Sequence, residues 1–145
     1  ETYVEEFLSL RMQLFRELGE LHEGADDEAL QDATKTYYVE HINKDLFSWG
    51  IQFEGHLVSI GSLCLFERLP YAENLSGQEG YILNIYACPA FRKRGFASQI
   101  VQAILSYGAE LGLKRLWLSS STQGKALYLK HGFSEKNGEM EYLLK

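Results

Sequence analysis

Apolar residues follow two different rhythms along this chain. Over residues 3–18, Val4, Phe7, Leu8, Met12, Leu14, Phe15 and Leu18 recur every three or four positions, the spacing of one helix face, and Gly19 offers a stop. Residues 26–43 repeat that rhythm. Asp26 or Asp27 can cap a second helix whose stripe is Leu30, Ala33, Tyr37, Tyr38, His41 and Ile42. His41 reads as a packed histidine rather than a ligand, because His22, His56 and His131 show no metal spacing with it. From Phe47 the period drops to two: Phe47, Trp49, Ile51 and Phe53 alternate with polar residues or glycine, which predicts a half-buried strand. Glu54-Gly55 is a turn, and the nearly all-apolar run 57–66 completes an antiparallel hairpin. Residues 67–80 have no period and carry Pro70, Gly77 and Gly80, so they read as a long loop of the kind that often has a function.

The stretch 81–112 organises the rest. An apolar strand runs to Cys88, where Pro89 ends it by fixing its own backbone and removing a donor. Arg92-Lys93-Arg94-Gly95-Phe96-Ala97 forms a basic glycine turn. Ile100, Val101, Ile104, Leu105 and Leu111 then mark an amphipathic helix that closes at Gly112. The first N–H groups of a helix lack intrahelical partners and sit at the positive end of its dipole, so this junction suits either an anion or an ordinary solvated helix start. Leu113 to Leu118 predicts another strand. Ser119-Ser120-Ser121-Thr122 can cap a short helix with Ala126, Leu127 and Tyr128 that stops at His131-Gly132-Phe133, and residues 139–145 predict a final strand. A strand, a helix and a second strand in this order make a parallel βαβ unit. The fold class is therefore mixed α/β: an antiparallel N-terminal hairpin, a central parallel pair and helices on both faces of one sheet.

At 145 residues a single domain is expected, spanning 1–145, and 46% apolar with 23% charged residues is ordinary globular composition. No apolar run approaches the roughly 20 residues of a membrane span, and no leader peptide is evident. Cys64 and Cys88 both lie in strand-like runs, which argues against a disulfide scaffold or a zinc site and for a reducing cytoplasm. The net charge of −6 is unevenly divided: residues 1–80 hold 16 acids and 5 Lys or Arg, residues 81–145 hold 4 acids and 9 Lys or Arg. An acidic whole disfavours nucleic acid as a partner, while a basic half beside an acidic half suits an anionic ligand and a cationic one.

Arg92-x-x-Gly95-x-Ala97 resembles the Arg/Gln-x-x-Gly-x-Gly/Ala signature of the GNAT N-acetyltransferase superfamily, and it stands between a strand ending in Pro and a long helix, as it does there. Ser121-x-x-Gly124-x-x-Leu127-Tyr128-x-x-x-Gly132-Phe133 resembles the later motif of the same superfamily. The likeness covers residues 46–145 well and fits the two N-terminal helices, although a first strand usually precedes them. It implies an acetyl-CoA-dependent acyltransferase without a metal, acting on a primary amine of a small molecule or peptide, and it allows a homodimer. It also implies roles. Backbone N–H groups at Arg94, Gly95, Phe96, Ala97 and Ser98 would hold the CoA diphosphate, with Arg92 and Lys93 at the entry and Ser121 nearby. The strand at Ile85, Tyr86 and Ala87 would splay from the 113–118 strand and pair with pantetheine. An N–H near Ala87 would polarise the thioester carbonyl, and Tyr128 would protonate the departing thiolate.

Two positions depart from that family. Ser121 stands where many members have Asn. Leu83 or Asn84 falls where many place a carboxylate base on the central strand. Glu79, Glu73 and Tyr81 are the candidates for that task, and Asn84 for orienting substrate or water. Without a resident base, a non-catalytic acyl-CoA sensor or partner-binding module is the competing expectation.

Overall fold

A computed structural model describes residues 3–21 and 27–144. The elements are α1 (Val4–Glu17), α2 (Asp27–His41), β1 (Leu46–Phe53), β2 (His56–Glu67), β3 (Gln78–Ala87), a single 3-10 turn (Pro89–Phe91), α3 (Phe96–Glu110), β4 (Leu116–Trp117) and α4 (Lys125–Lys130). The four strands lie in the order β1-β2-β3-β4. β1–β2 and β2–β3 are antiparallel and β3–β4 parallel, the mixed sheet expected from the sequence. No helix among the described residues is long and apolar enough to cross a membrane.

The sheet has an apolar core on each face. On one side α1 buries Phe7 and Leu10 against Ile60 of β2 and Tyr86 of β3. On the other, Ile100 and Ile104 of α3 pack on Leu63 and Ile82. Alternation along β2 sends Ile60 to the first face and Leu63 to the second. The α1 stripe is rotated slightly from expectation: Leu10 is buried, whereas Leu18 is exposed. α2 buries no residue fully and is tied to α1 by the ion pairs Arg16–Asp27 and Lys35–Glu5. Asp26, one of its two candidate caps, lies outside the described residues. His41 is half-buried, stacked on Tyr37 at 4.0 Å between ring centroids and bonded to Asp45 at 2.7 Å. The hairpin turn is the two residues Glu54 and Gly55, both with positive φ (51° and 83°), a pairing that matches the twist of the flanking strands.

One irregularity matters for the site. Ile60 is opposite Tyr86, yet Ser62 is opposite Leu83, so β3 carries an extra residue there. Asn84, with φ 60°, absorbs that bulge. Its effect is to change which side chains face which layer. Ile82 and Ile85 both join the α3 core, while Asn84 and Tyr86 turn toward α1.

Three strand limits differ from the sequence reading. β2 reaches Glu67 and β3 begins at Gln78, which shortens the expected 67–80 loop to 68–77, closed by the Arg68 N–H on the Gly77 carbonyl at 2.9 Å. The 113–118 strand pairs only at Leu116 and Trp117. The final strand expected over 139–145 is not formed at 139–144. Residues 139–144 pair with no strand among the described residues, and Met140 and Tyr142 are 97% and 86% exposed. Lys145 lies outside the described residues.

Candidate active site

β3 and β4 form a wedge. They pair only at Gly80–Leu116 and Tyr81–Trp117, so among the described residues β3 has no strand neighbour on that side from Ile82 to Ala87. The chain leaves β3 through the Pro89 turn and enters α3 at Gly95, whose φ of 81° is the left-handed conformation that glycine adopts without strain. Among the described residues no side chain caps α3, and apart from its chain neighbours nothing lies within 4 Å of where a Gly95 Cβ would be. The N–H groups of Phe96, Ala97 and Ser98 thus head the helix dipole beside open space, while Gln99 N–H already bonds the Gly95 carbonyl at 3.0 Å. Lys93 and Arg94 are exposed, and Arg94 lies 4.9 Å over the Phe91 ring. Arg92 behaves differently. Its Nε donates to the Ala87 carbonyl at 2.9 Å and its Nη2 to Glu17 of α1 at 2.7 Å, so it buckles the turn to α1 instead of lining an entry as a free cation. Burial pushes the Glu17 carboxyl up, but hydrogen bonds from Arg92 and Tyr86 and the Arg92 charge hold it below the usual range.

Tyr128 stands on α4, edge-on to Phe133 at 5.7 Å. Its hydroxyl has no partner among the described residues, and burial, with a smaller contribution from Tyr81, pushes its pKa up to about 12. It lines a cavity of about 470 Å³ together with Trp117, Ser121 and Phe133. Ser121 Oγ accepts the Gly124 N–H at 3.0 Å, which shapes the turn into α4. Ser98 Oγ meets His131 Nε2 at 2.7 Å and so joins the first turn of α3 to the end of α4. Trp117, which the sequence did not single out, closes the wedge with its ring 4.5 Å from Tyr81, and its indole N–H is buried without a partner. An unmet donor of this kind costs about 1–3 kcal/mol.

The sequence profile of the Acetyltransferase (GNAT) family matches residues 6–133, which include both the glycine turn and Tyr128. The chain belongs to the GNAT acetyltransferase family. Among curated proteins this GNAT chain is similar to an uncharacterized N-acetyltransferase, YedL, of Escherichia coli K12, at 30% identity over 107 residues, covering 70% of this chain and 62% of that protein. It therefore spans less than two thirds of that relative's length. Among solved structures, a predicted acetyltransferase from Clostridium acetobutylicum, crystallised with acetyl-CoA, matches with a TM-score of 0.88 at 20% identity, over 98% of this chain and 90% of that one. A GCN5-related N-acetyltransferase from Ralstonia eutropha JMP134 matches with a TM-score of 0.86 at 24% identity, over 98% and 93% of the two chains. At these identities the structural likeness shows the fold.

The GNAT strand that many members equip with a carboxylate is arranged otherwise here. Glu79 is 0% exposed. Its carboxylate accepts from Arg115 Nη1 at 3.0 Å and from the Tyr71 hydroxyl, and Arg68 stands at 3.7 Å. Burial pushes this carboxyl up, but those hydrogen bonds and charges outweigh it and hold it below the usual range. Glu79 is thus a structural anchor for the 68–77 loop, already enclosed by its partners. Glu73 is exposed on that loop. Tyr86 points at α1, with its hydroxyl donating to Glu17 at 2.8 Å; burial and then that carboxylate push its pKa to about 12. What Ile85, Tyr86 and Ala87 offer the wedge is backbone. Asn84 is nearly buried, accepts from Arg11 Nε at 3.0 Å and donates to Ser62 Oγ at 3.3 Å, which in turn meets Ser48 Oγ at 2.9 Å. Arg11 was missed from the sequence because a charged residue mid-helix reads as solvent-facing. Its spacing from Phe7 and Phe15, four residues either way, was the available signal.

Proposed function

We propose that this GNAT chain moves an acetyl group from acetyl-CoA to a primary amine. The observation that carries the reading is the open wedge between β3 and β4 facing a helix start whose first N–H groups are uncapped. Those amides at Gly95, Phe96, Ala97 and Ser98, with the adjoining Arg94 turn, fit a diphosphate, and Lys93 supplies exposed positive charge beside them. The unpaired edge at Ile85, Tyr86 and Ala87 fits a pantetheine arm, and an N–H near Ala87 fits the thioester carbonyl, a contact worth a few kcal/mol in other oxyanion sites. Arg92 braces the turn and Ser121 shapes the start of α4, so both serve the site by positioning it. Bound acetyl-CoA supplies the acyl group already activated as a thioester.

The chain's own proton chemistry follows from its pKa values. Tyr128 Oη keeps its proton up to about pH 12 and is free to donate it toward the departing sulfur. With Glu79 enclosed, the acceptor amine loses its proton to water that Asn84 orients. At pH 7 an amine of pKa near 10.4 costs about 4–5 kcal/mol to deprotonate, so kcat/KM should climb roughly tenfold per pH unit until the amine's own pKa. A CoA-thiol release assay across amino acids, amino sugars, polyamines and peptides tests the reading. Binding of CoA with no turnover of any amine would count against it.

The enclosure of Glu79 favours one second reading, an acyl-CoA sensor or partner-binding module. Tyr128→Phe separates the two. A transferase should lose on the order of 100-fold in kcat while keeping its CoA affinity; a sensor has no turnover to lose.

A further inference from the structure

Among the described residues, one cation on the α1 face is in no ion pair. Arg11 lies half-buried between α1 and the sheet, its guanidinium 4.4 Å over the Phe15 ring. Nε donates to Asn84 Oδ1 at 3.0 Å and Nη1 to Thr34 Oγ1 at 2.9 Å. A guanidinium has five N–H donors, so three remain, two of them on Nη2. Among the described residues these find no acceptor, and no carboxylate pairs with Arg11. On the two helices, Glu17 pairs with Arg92, Glu5 with Lys35 and Asp27 with Arg16. The charge of Glu20 is felt at Arg11 but forms no ion pair with it, and burial pulls the guanidinium pKa down despite Glu20 and Cys64. A half-buried cation with no carboxylate bonded to it is costly, and an anion on its remaining N–H groups offsets that cost.

Resting on the transferase reading, we infer that Arg11 is the acceptor's anion site: the amine substrate also carries a carboxylate or phosphate, which the Nη2 edge of Arg11 binds beside Asn84. The acidic N-terminal half had suggested a cationic acceptor, but Glu5, Glu17 and Asp27 of α1 and α2 are held by internal pairs. Position sets the size of the acceptor. Asn84 and Ala87 are three strand residues apart, about 10 Å, so amine and anion must lie within about that distance of each other. That is the span of a small metabolite.

The test compares kcat/KM in matched pairs: an amino acid against its amide, an amino-sugar phosphate against its parent sugar, and a diamine as the cationic control. The wild type should favour the charged member at least tenfold and use the diamine worst, and the pair with the larger ratio identifies the anion. In Arg11→Gln the ratio should fall to near one, while Arg11→Lys, which keeps charge but not the fork, should retain part of it. If the Gln variant does not fold, the Lys variant carries the comparison. A wild-type preference for neutral or dicationic amines, or a ratio unmoved by either substitution, overturns the inference. If no amine is turned over, the transferase reading fails by itself, and the anion site is read by calorimetry instead. Acetylated products with and without the anion are titrated into the CoA complex. Tighter binding of the anionic product that Arg11→Gln abolishes supports the site, and equal binding of both overturns it.

Discussion

Two glycine-bearing connections flank β3, and they use their polar groups in opposite ways. The 68–77 loop before the strand satisfies itself. Asn74, 1% exposed, donates to the Gln78 carbonyl at 3.0 Å and accepts from Ser76 at 3.0 Å. Gly77 has φ 73°, and a Cβ there would stand 2.1 Å from the Arg68 carbonyl oxygen, so the loop is closed around its own backbone. Glu79 then locks it to Arg115 and Tyr71. The 92–95 turn after the strand leaves Lys93, Arg94 and Gly95 exposed and the α3 start uncapped. Both carry charge and glycine. The difference is whether the polar groups already have partners, and that is why the first connection is architecture and the second is the one we propose as a binding site.

Breaking the closed loop should have the largest effect. Glu79→Ala leaves Arg115 without its carboxylate and should cost about 3–5 kcal/mol of stability, seen as a lower Tm, with CoA affinity in the folded protein near wild type. An unchanged Tm would mean the loop does not need its anchor. Gly95→Asp should do the reverse. A carboxylate at the anion cradle should weaken CoA binding about 10- to 100-fold, or about 1.4–2.8 kcal/mol by calorimetry. Asp tolerates a left-handed backbone comparatively well, so stability should change by only about 1 kcal/mol. If CoA binds such a variant normally, the diphosphate lies elsewhere.

Smaller effects come from pH, and their signs differ. The Glu79 carboxyl is held below its ordinary 4.5, so its stabilisation is complete above that value and fades as pH falls through the folded pKa. Acid denaturation midpoints of Glu79→Gln should therefore be less steeply pH-dependent than those of the wild type. Tyr128 is raised from 10.0 to about 12. Its stabilisation is complete below pH 10 and lost as pH rises toward 12. Tyr128→Phe should flatten the alkaline fall in urea midpoints over that interval, and an unchanged slope would show that burial does not hold the phenol neutral.

Much of this was legible in the sequence because it depends on local rhythm. The 3.6-residue spacing of Phe7, Leu8 and Met12 and the alternation of Phe47 to Phe53 reflect which side each residue turns to the sheet. Pro89 and Gly95 mark the strand end and helix start by backbone chemistry alone. What escaped depends on partners far away in the chain. Glu79 looked available because Arg115, 36 residues later, is not on its horizon. The bulge at Asn84 exists only as a mismatch of register between β2 and β3, and it alone brings Asn84 to Arg11. The tail at 139–144 pairs with no described strand, and whether a segment joins a sheet depends on its partner as well as on its own residues. The motif places Arg92 at the entry, but its partner Glu17 sits on α1, 75 residues earlier.

The central claim, that the uncapped start of α3 grips a CoA diphosphate, is tested most directly by titrating CoA into the labelled protein and following backbone amide resonances by NMR. The account predicts the largest shifts at Gly95 to Ser98, saturating with CoA, and little change across 68–77. Saturation that leaves Gly95 to Ser98 unmoved would contradict it.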